Sequence, residues 1–216
     1  MCGIVGAPNK ELAFKLYKLN QQRGTYSYGS IAISPRFTSV SKKPGQVDEI
    51  QHADDYKYYL IHTRAPTLNT TGFDYENSHP FEYQSNIFVG HNGIINNFEF
   101  LKEKYKVNFT VDSQIIPYLI GTHNKELKNI VQSIKMTLEE LDGIYGLWIY
   151  DSNKENIYLA RCASSIYFNK NLKCFSSIQI EDSEMLEEGK IYKLDIDGSN
   201  IQVVDTFKFN SPYFVL

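Results

Sequence analysis

The chain has 216 residues, with 42% hydrophobic and 22% charged side chains and a formal net charge of -3. That length suits one sizeable domain over residues 1–216, and the near-neutral charge gives no basic excess to draw it to nucleic acid or anionic lipid. No positive stretch leads into an apolar run at the start and no apolar run approaches bilayer length, so the sequence predicts a soluble, cytoplasmic protein without a membrane segment.

Taken in chain order, "CGIVGA" reads as a short buried strand, and residues 9–22 as a helix with Leu12, Leu16 and Leu19 on one face. "YGSIAIS" and "YKYYLIHT" read as strands rich in β-branched and aromatic residues. Between Thr63 and Pro80 the density of Asn, Thr, Gly and Pro predicts a long ordered loop of the kind that covers functional sites. "NIFVGHNG" is a strand running into a turn. A helix follows from about Phe98 to Lys106, and another begins at Asp112, placed to act as its N-cap, and runs to about Gly121. Residues 125–141 carry the strongest helical stripe, with Leu127, Ile130, Val131, Ile134, Leu138 and Leu141 at 3.6-residue spacing. From Gly143 onward, "GIYGLWIYD", "NIYLARC", "SIYF", "KCFSS", "GKIYKLDID" and "IQVVDTF" read as strands of an antiparallel sheet. A helical middle between strand-rich ends suggests a layered α+β domain, two packed sheets with helices on their outer faces.

Cys2, Cys162 and Cys174 are odd in number and widely spread, and the five histidines show no metal-ligand spacing. Neither a disulfide framework, a metal nor a cofactor is expected. Arginine is scarce, occurring only at positions 23, 36, 64 and 161.

Cys2 directly follows the initiator methionine. Methionine is usually trimmed before a small residue, and the new N-terminal cysteine then carries both a thiol and an α-amine. Such an amine ordinarily titrates at about 7.7–8.0, which makes it a base near neutrality on the nucleophile's own residue. A buried first strand using cysteine as a small hydrophobe is the alternative. Acyl transfer also needs donors for an oxyanion, and "GHNGIINN" offers the Asn92 side-chain amide and the backbone of Gly93. Asn-Gly after a strand is equally a hairpin signal. If the substrate is an amino acid, Arg64 in "IHTRAPT" suits its carboxylate and Asp112 in "VDSQ" its ammonium, each with a plain alternative as an ion pair or helix cap.

Taken together and in this order, these stretches resemble the class II glutamine amidotransferases, the N-terminal-nucleophile glutaminase domains of glucosamine-6-phosphate synthase and the amidophosphoribosyltransferases. "MCGIVGA" is similar to their processed N-terminus, "HTRAPT" to the arginine loop written HTRWAT, "ENSHPF" to the segment after it, "GHNGIINNFEFLKEKY" to the HNGIIxN strand-turn-helix and "VDSQIIPYLI" to the TDTE motif. "LDGIYGLWIYDS", "NIYLARCASSIYF" and "CFSSIQIE" resemble its later strands more weakly. The resemblance spans nearly the whole chain. It implies a four-layer αββα sandwich of two antiparallel sheets, the N-terminal nucleophile hydrolase fold. It implies L-glutamine as substrate: Cys2 attacks the side-chain amide, Asn92 and Gly93 hold the oxyanion, and a γ-glutamyl thioester is hydrolysed to glutamate after ammonia leaves. Arg64, helped by Thr67, would bind the α-carboxylate, Asp112 and the Gly93 carbonyl the α-ammonium, and Arg23 would support the nucleophile.

The sequence departs from the family's pattern at Tyr26 in "RGTYSYG", where aspartate is usual, and at Ala65 and Leu68 in the arginine loop. No stretch of the 216 residues provides an ammonia-consuming domain, so a separate synthase subunit is the expected partner, with the oligomeric state left open. A stand-alone γ-glutamyl amide hydrolase and a catalytically silent binding homologue are the alternatives. A papain-like Cys–His pair requires a histidine within reach of the Cys2 sulfur.

Overall fold

The computed structural model describes residues 2–35, 37–65 and 73–209. Two sheets form among them. The first runs in the order β11 (Glu184–Met185), β9 (Tyr167–Asn169), β10 (Cys174–Ser176), β1 (Gly3–Ala7), β4 (Tyr58–Arg64), β2 (Ser27–Ile33) and β3 (Thr38–Pro44). The second runs β13 (Ile201–Thr206), β12 (Lys190–Asp195), β8 (Asn156–Cys162), β7 (Gly143–Asp151), β6 (Ile87–Ile95) and β5 (Phe81–Tyr83). Neighbouring strands pair antiparallel throughout both sheets.

The central strands are apolar on both faces because both faces are covered. Ile4, Tyr58 and Leu60 of the first sheet pack against Phe88, Trp148, Tyr150 and Leu159 of the second, and the buried Trp148 Nε1–H donates across the gap to the Ile61 carbonyl at 3.3 Å. The alternate residues Val5, Tyr59 and Ile61 face Ala13, Leu16 and Tyr17 of helix α1 (Lys10–Asn20). On the far side, Val89, Leu147 and Ile149 meet helices α2 (Phe98–Tyr105), α3 (Ile115–Leu127) and α4 (Ile130–Glu140) through Leu101, Leu119, Ile134 and Leu138. The layers are therefore helix, sheet, sheet, helix, as the resemblance implied.

Three local expectations are corrected. The stripe predicted as one helix over 125–141 is broken: Lys128 takes a left-handed φ of 53°, and the Asn129 side chain accepts from Gln132 N at 3.2 Å to start α4. Leu127 closes the preceding helix and is exposed. Second, Asp112 does not act as an N-cap. It opens a 3₁₀ turn, Asp112–Gln114, in which the Gln114 Oε1 accepts from Thr110 N and Val111 N, both at 2.9 Å, leaving the Asp112 carboxylate free to turn toward β6. Third, the strands after Gly143 do not share one sheet, since β9, β10 and β11 join β1 while β7, β8, β12 and β13 join β6. Strand β3 lacks an apolar alternation ("TSVSKKP") and went unpredicted; it is a half-exposed edge. No helix among the described residues is long and apolar enough to cross a membrane.

Candidate active site

Period-two alternation sets the site. On β1, Ile4 faces the opposing sheet, so Cys2, two residues earlier, shares that face; on β4, Leu60 is followed by His62 and Arg64; on β6, Phe88 is followed by Gly90 and Asn92. The thiol, the arginine and the amide thus converge at one end of the gap between the sheets.

Cys2 keeps partial exposure as a residue, yet burial is the largest influence on its thiol and pushes its pKa up. The Ala65 backbone N–H, which the sequence did not single out, hydrogen-bonds the sulfur and, with the Arg64 guanidinium, opposes that rise, while Asp112 adds to it. Gly24 permits this approach, for a Cβ there would overlap the Arg64 carbonyl and the Ala65 nitrogen. Arg23 holds the residue by its backbone: its Nε–H donates to the Cys2 carbonyl at 2.8 Å.

Arg64 is buried, donating from Nη1 to the Asn77 carbonyl at 2.6 Å, with its guanidinium 5.6 Å from the centre of the Tyr26 ring. Tyr26, noted as a departure beside the nucleophile, also donates its backbone N–H to the Arg64 carbonyl at 2.9 Å. The "ENSHPF" stretch therefore serves the arginine through Asn77. Thr67, Leu68 and Met1 lie outside the described residues.

Asn92 is buried, and its Nδ2 donates to the Ser164 hydroxyl at 2.9 Å and to that of Ser177 at 3.4 Å. The turn expected after "NIFVGHNG" does not form there, since β6 continues to Ile95; within it Gly93 has φ +155°, and a Cβ would overlap the Ile144 carbonyl, so this point of the strand demands glycine. Asp112 Oδ2 accepts from Ile95 N at 2.8 Å, and Oδ1 accepts from the backbone N–H and hydroxyl of Ser113 at 2.8 and 3.1 Å. These bonds tie the start of α3 to the strand that carries Asn92 and Gly93.

The histidines are committed elsewhere. His62 Nε2–H donates to the His91 carbonyl at 2.8 Å, and the His91 ring lies 2.7 Å from the Ser113 hydroxyl through Nδ1. His79 stacks on His62 with ring centres 3.8 Å apart, and neither of its ring nitrogens has a partner among the described residues. Burial lowers the pKa of all three, that of His62 to about 3, so they are neutral near pH 7. Among the described residues no histidine hydrogen-bonds Cys2, which leaves the Cys–His alternative without support. Likewise no group of described residues is arranged to hold a metal ion. A separate cleft of about 440 Å³ beside Lys42, Tyr83, Phe109 and Tyr118 is lined by none of the expected site residues.

The arrangement offers a thiol with an adjacent amide N–H, a forked cation, a carboxylate and a buried carboxamide, the set needed to bind an amino acid and transfer its acyl group. Ser113, Ser164 and Ser177 were missed. Their signal was faint: Ser113 sits in the first turn of a predicted helix, Ser164 between two predicted strands and Ser177 at the end of one.

A family described as a glutamine amidotransferase domain matches residues 71–176. A glutamine–fructose-6-phosphate aminotransferase (isomerizing) of Wigglesworthia glossinidia brevipalpis is 30% identical over 237 residues, covering 96% of this chain and 37% of that protein. One of Staphylococcus epidermidis is 29% identical over 219 residues, covering 94% and 36%. The chain thus spans little more than a third of the length of these curated relatives. Among solved structures, the glutamine phosphoribosylpyrophosphate amidotransferase of B. subtilis, complexed with ADP and GMP, superposes with a TM-score of 0.75 at 18% identity, over 98% of this chain and half of that one. A protein described as a predicted glutamine amidotransferase of Pseudomonas aeruginosa PA01 gives a TM-score of 0.55 at 14% identity, over 94% and 95%.

Proposed function

We propose that this chain carries a class II glutamine amidotransferase domain, as its similarity to such domains supports, and that it hydrolyses the side-chain amide of L-glutamine through a thioester on Cys2. The observation that carries this reading is the pairing of β1 with β4 and the facing of β6, which bring Cys2, Arg64 and Asn92 to one end of the gap between the sheets, with Asp112 bonded to the Asn92 strand through Ile95 N. Arg64 pairs with the substrate α-carboxylate, helped by Thr67, while Asp112 and the Gly93 carbonyl take the α-ammonium. That leaves the amide carbon at the sulfur.

Because burial raises the thiol's pKa, a standing thiolate is disfavoured and a base is needed at the moment of attack. The α-amine of Cys2, freed by removal of Met1, is that base. It takes the Sγ proton as the S–C bond forms, and the oxyanion rests on Asn92 Nδ2–H and the Gly93 N–H. The carbonyl reforms as the C–N bond breaks, and the amine passes its proton to the leaving nitrogen, releasing ammonia. Water then adds to the thioester, giving glutamate and the free thiol. Ammonia goes to an acceptor site outside residues 1–216, either on further polypeptide or on a separate synthase subunit.

The test is release of glutamate and ammonia by the purified chain and by Cys2→Ala, alongside intact mass to establish the state of Met1. We expect turnover from the processed chain and none from the variant; equal rates in both would sink the nucleophile. A second reading, a γ-glutamyl amide hydrolase, is favoured by the small Ala65 beside the thiol, and faster turnover of bulkier γ-glutamyl amides than of glutamine would select it.

A further inference from the structure

The two N–H bonds of the Asn92 carboxamide are already spoken for. Nδ2 donates to Ser164 Oγ at 2.9 Å and to Ser177 Oγ at 3.4 Å, and Ser164 Oγ in turn donates to the backbone carbonyl of Asn92 at 3.2 Å. A serine hydroxyl has one proton. With that proton on the Asn92 carbonyl, the Ser164 oxygen faces the Asn92 side chain only as an acceptor. It selects the NH₂ end of the amide and rejects the oxygen end.

Both serines are held firmly. Ser177 Oγ accepts the Ile4 N–H at 3.0 Å, its backbone N–H donates to the Ile4 carbonyl at 2.9 Å, and its own carbonyl accepts from Ser165 Oγ at 2.7 Å. The guanidinium of Arg161 donates to the Ser164 carbonyl and to Glu188 Oε1, which also accepts the Ala163 N–H at 3.0 Å. The network therefore joins the strand that follows the nucleophile to the strand that carries the oxyanion donor.

We propose that Ser164 and Ser177 are positioning residues for glutamine hydrolysis. Ser164 fixes the rotational state of the Asn92 amide so that Nδ2, and not Oδ1, meets the developing oxyanion. Ser177 holds the second N–H by the longer bond, which the oxyanion displaces as negative charge forms. The inference rests on the hydrolysis proposed above.

Steady-state glutaminase kinetics on the full chain test it, with Ser164→Ala, Asn92→Ala and the double variant, each checked for folding by thermal melting. Loss of an oxyanion donor costs about 10²–10³ in kcat; Ser164→Ala should cost roughly tenfold or more in kcat, with the KM for glutamine within about twofold. In the Asn92→Ala background the same substitution should cost nothing further, since Ser164 acts through that amide. Ser177→Ala should show the same split between kcat and KM. Ser164→Cys, near-isosteric but a weak acceptor, carries the same expectation should the alanine variant fail to fold. An unchanged kcat in the Ser164 variants, or losses that multiply in the double variant, would overturn the role of Ser164; an unchanged kcat in Ser177→Ala would overturn that of Ser177. A processed wild-type chain that releases no glutamate would overturn the hydrolysis itself and this inference with it, whereas an active wild type beside unaffected serine variants overturns the inference alone.

Discussion

Arg64 shows how a residue recognised by type acquires its role from its neighbours. Its fork is held by the Asn77 carbonyl on one side and the Tyr26 ring on the other, so Tyr26 supplies a surface for the guanidinium rather than a gap beside the nucleophile. Arg64→Lys retains the charge but loses the fork and the stacking. We expect it to raise the KM for glutamine by roughly tenfold or more, the scale of a lost charge-assisted hydrogen bond, with a smaller change in kcat. Steady-state kinetics check this, and an unaltered KM would remove Arg64 as the carboxylate binder. At Gly93, a φ of +155° and the Ile144 carbonyl leave no room for a side chain. Gly93→Ala should destabilise the fold by about 1–3 kcal/mol or more, measurable as a lowered urea midpoint. Cys2, Arg64, Asn92, Gly93 and Asp112 were all legible as candidates. The Ala65 N–H and the serines around Asn92 were not, because a backbone donor has no sequence signature and a serine is common in every loop.

Helix α4 illustrates what a periodic stripe does and does not convey. Ile134 and Leu138 are buried on its inner face as the spacing predicted, yet the stripe ran through a helix boundary, because Leu127 and Ile130 also keep three-residue spacing across the break. The capping signal was present in Asn129, whose side chain accepts from Gln132 N. Asn129→Ala should cost about 1 kcal/mol of stability, read from urea unfolding followed by circular dichroism, and a change below a few tenths would show that packing alone sets the start of α4. Strand β3 was illegible for a different reason. An edge strand pairs along one side only, so its half-exposed residues need no apolar alternation, and the lysines of "TSVSKKP" suit an edge that must not recruit another strand.

Across the molecule, burial pushes four of the five buried histidines toward the neutral form. Burial lowers the pKa of His52 to about 4 and of His62 to about 3, and lowers those of His79 and His91 too. The unfolded chain, with histidine pKa near 6.5, binds more protons than the folded one between these values, so stability is full above about pH 6.5 and falls as the pH drops toward 4. For His52 and His62 the loss between pH 8 and pH 5 should be about 2 kcal/mol each, and a urea midpoint that stays flat over that range would contradict the buried neutral state. His62 lies in the gap between the sheets, where alternation along β4 places it with Arg64, whereas His52 packs against Tyr56 and Tyr59 on the outer face of the first sheet. By itself, the sequence determined most of the strands, the helical faces, the layered class and the residue types of the proposed acyl-transfer site, because periodicity and side-chain chemistry are local. Only the tertiary structure decided which strands share a sheet, that Asp112 reaches back to Ile95 instead of capping its helix, and that two distant serines hold Asn92. Those outcomes depend on which hydrogen-bonding groups the packing of the two sheets leaves to be satisfied, and no local pattern encodes them.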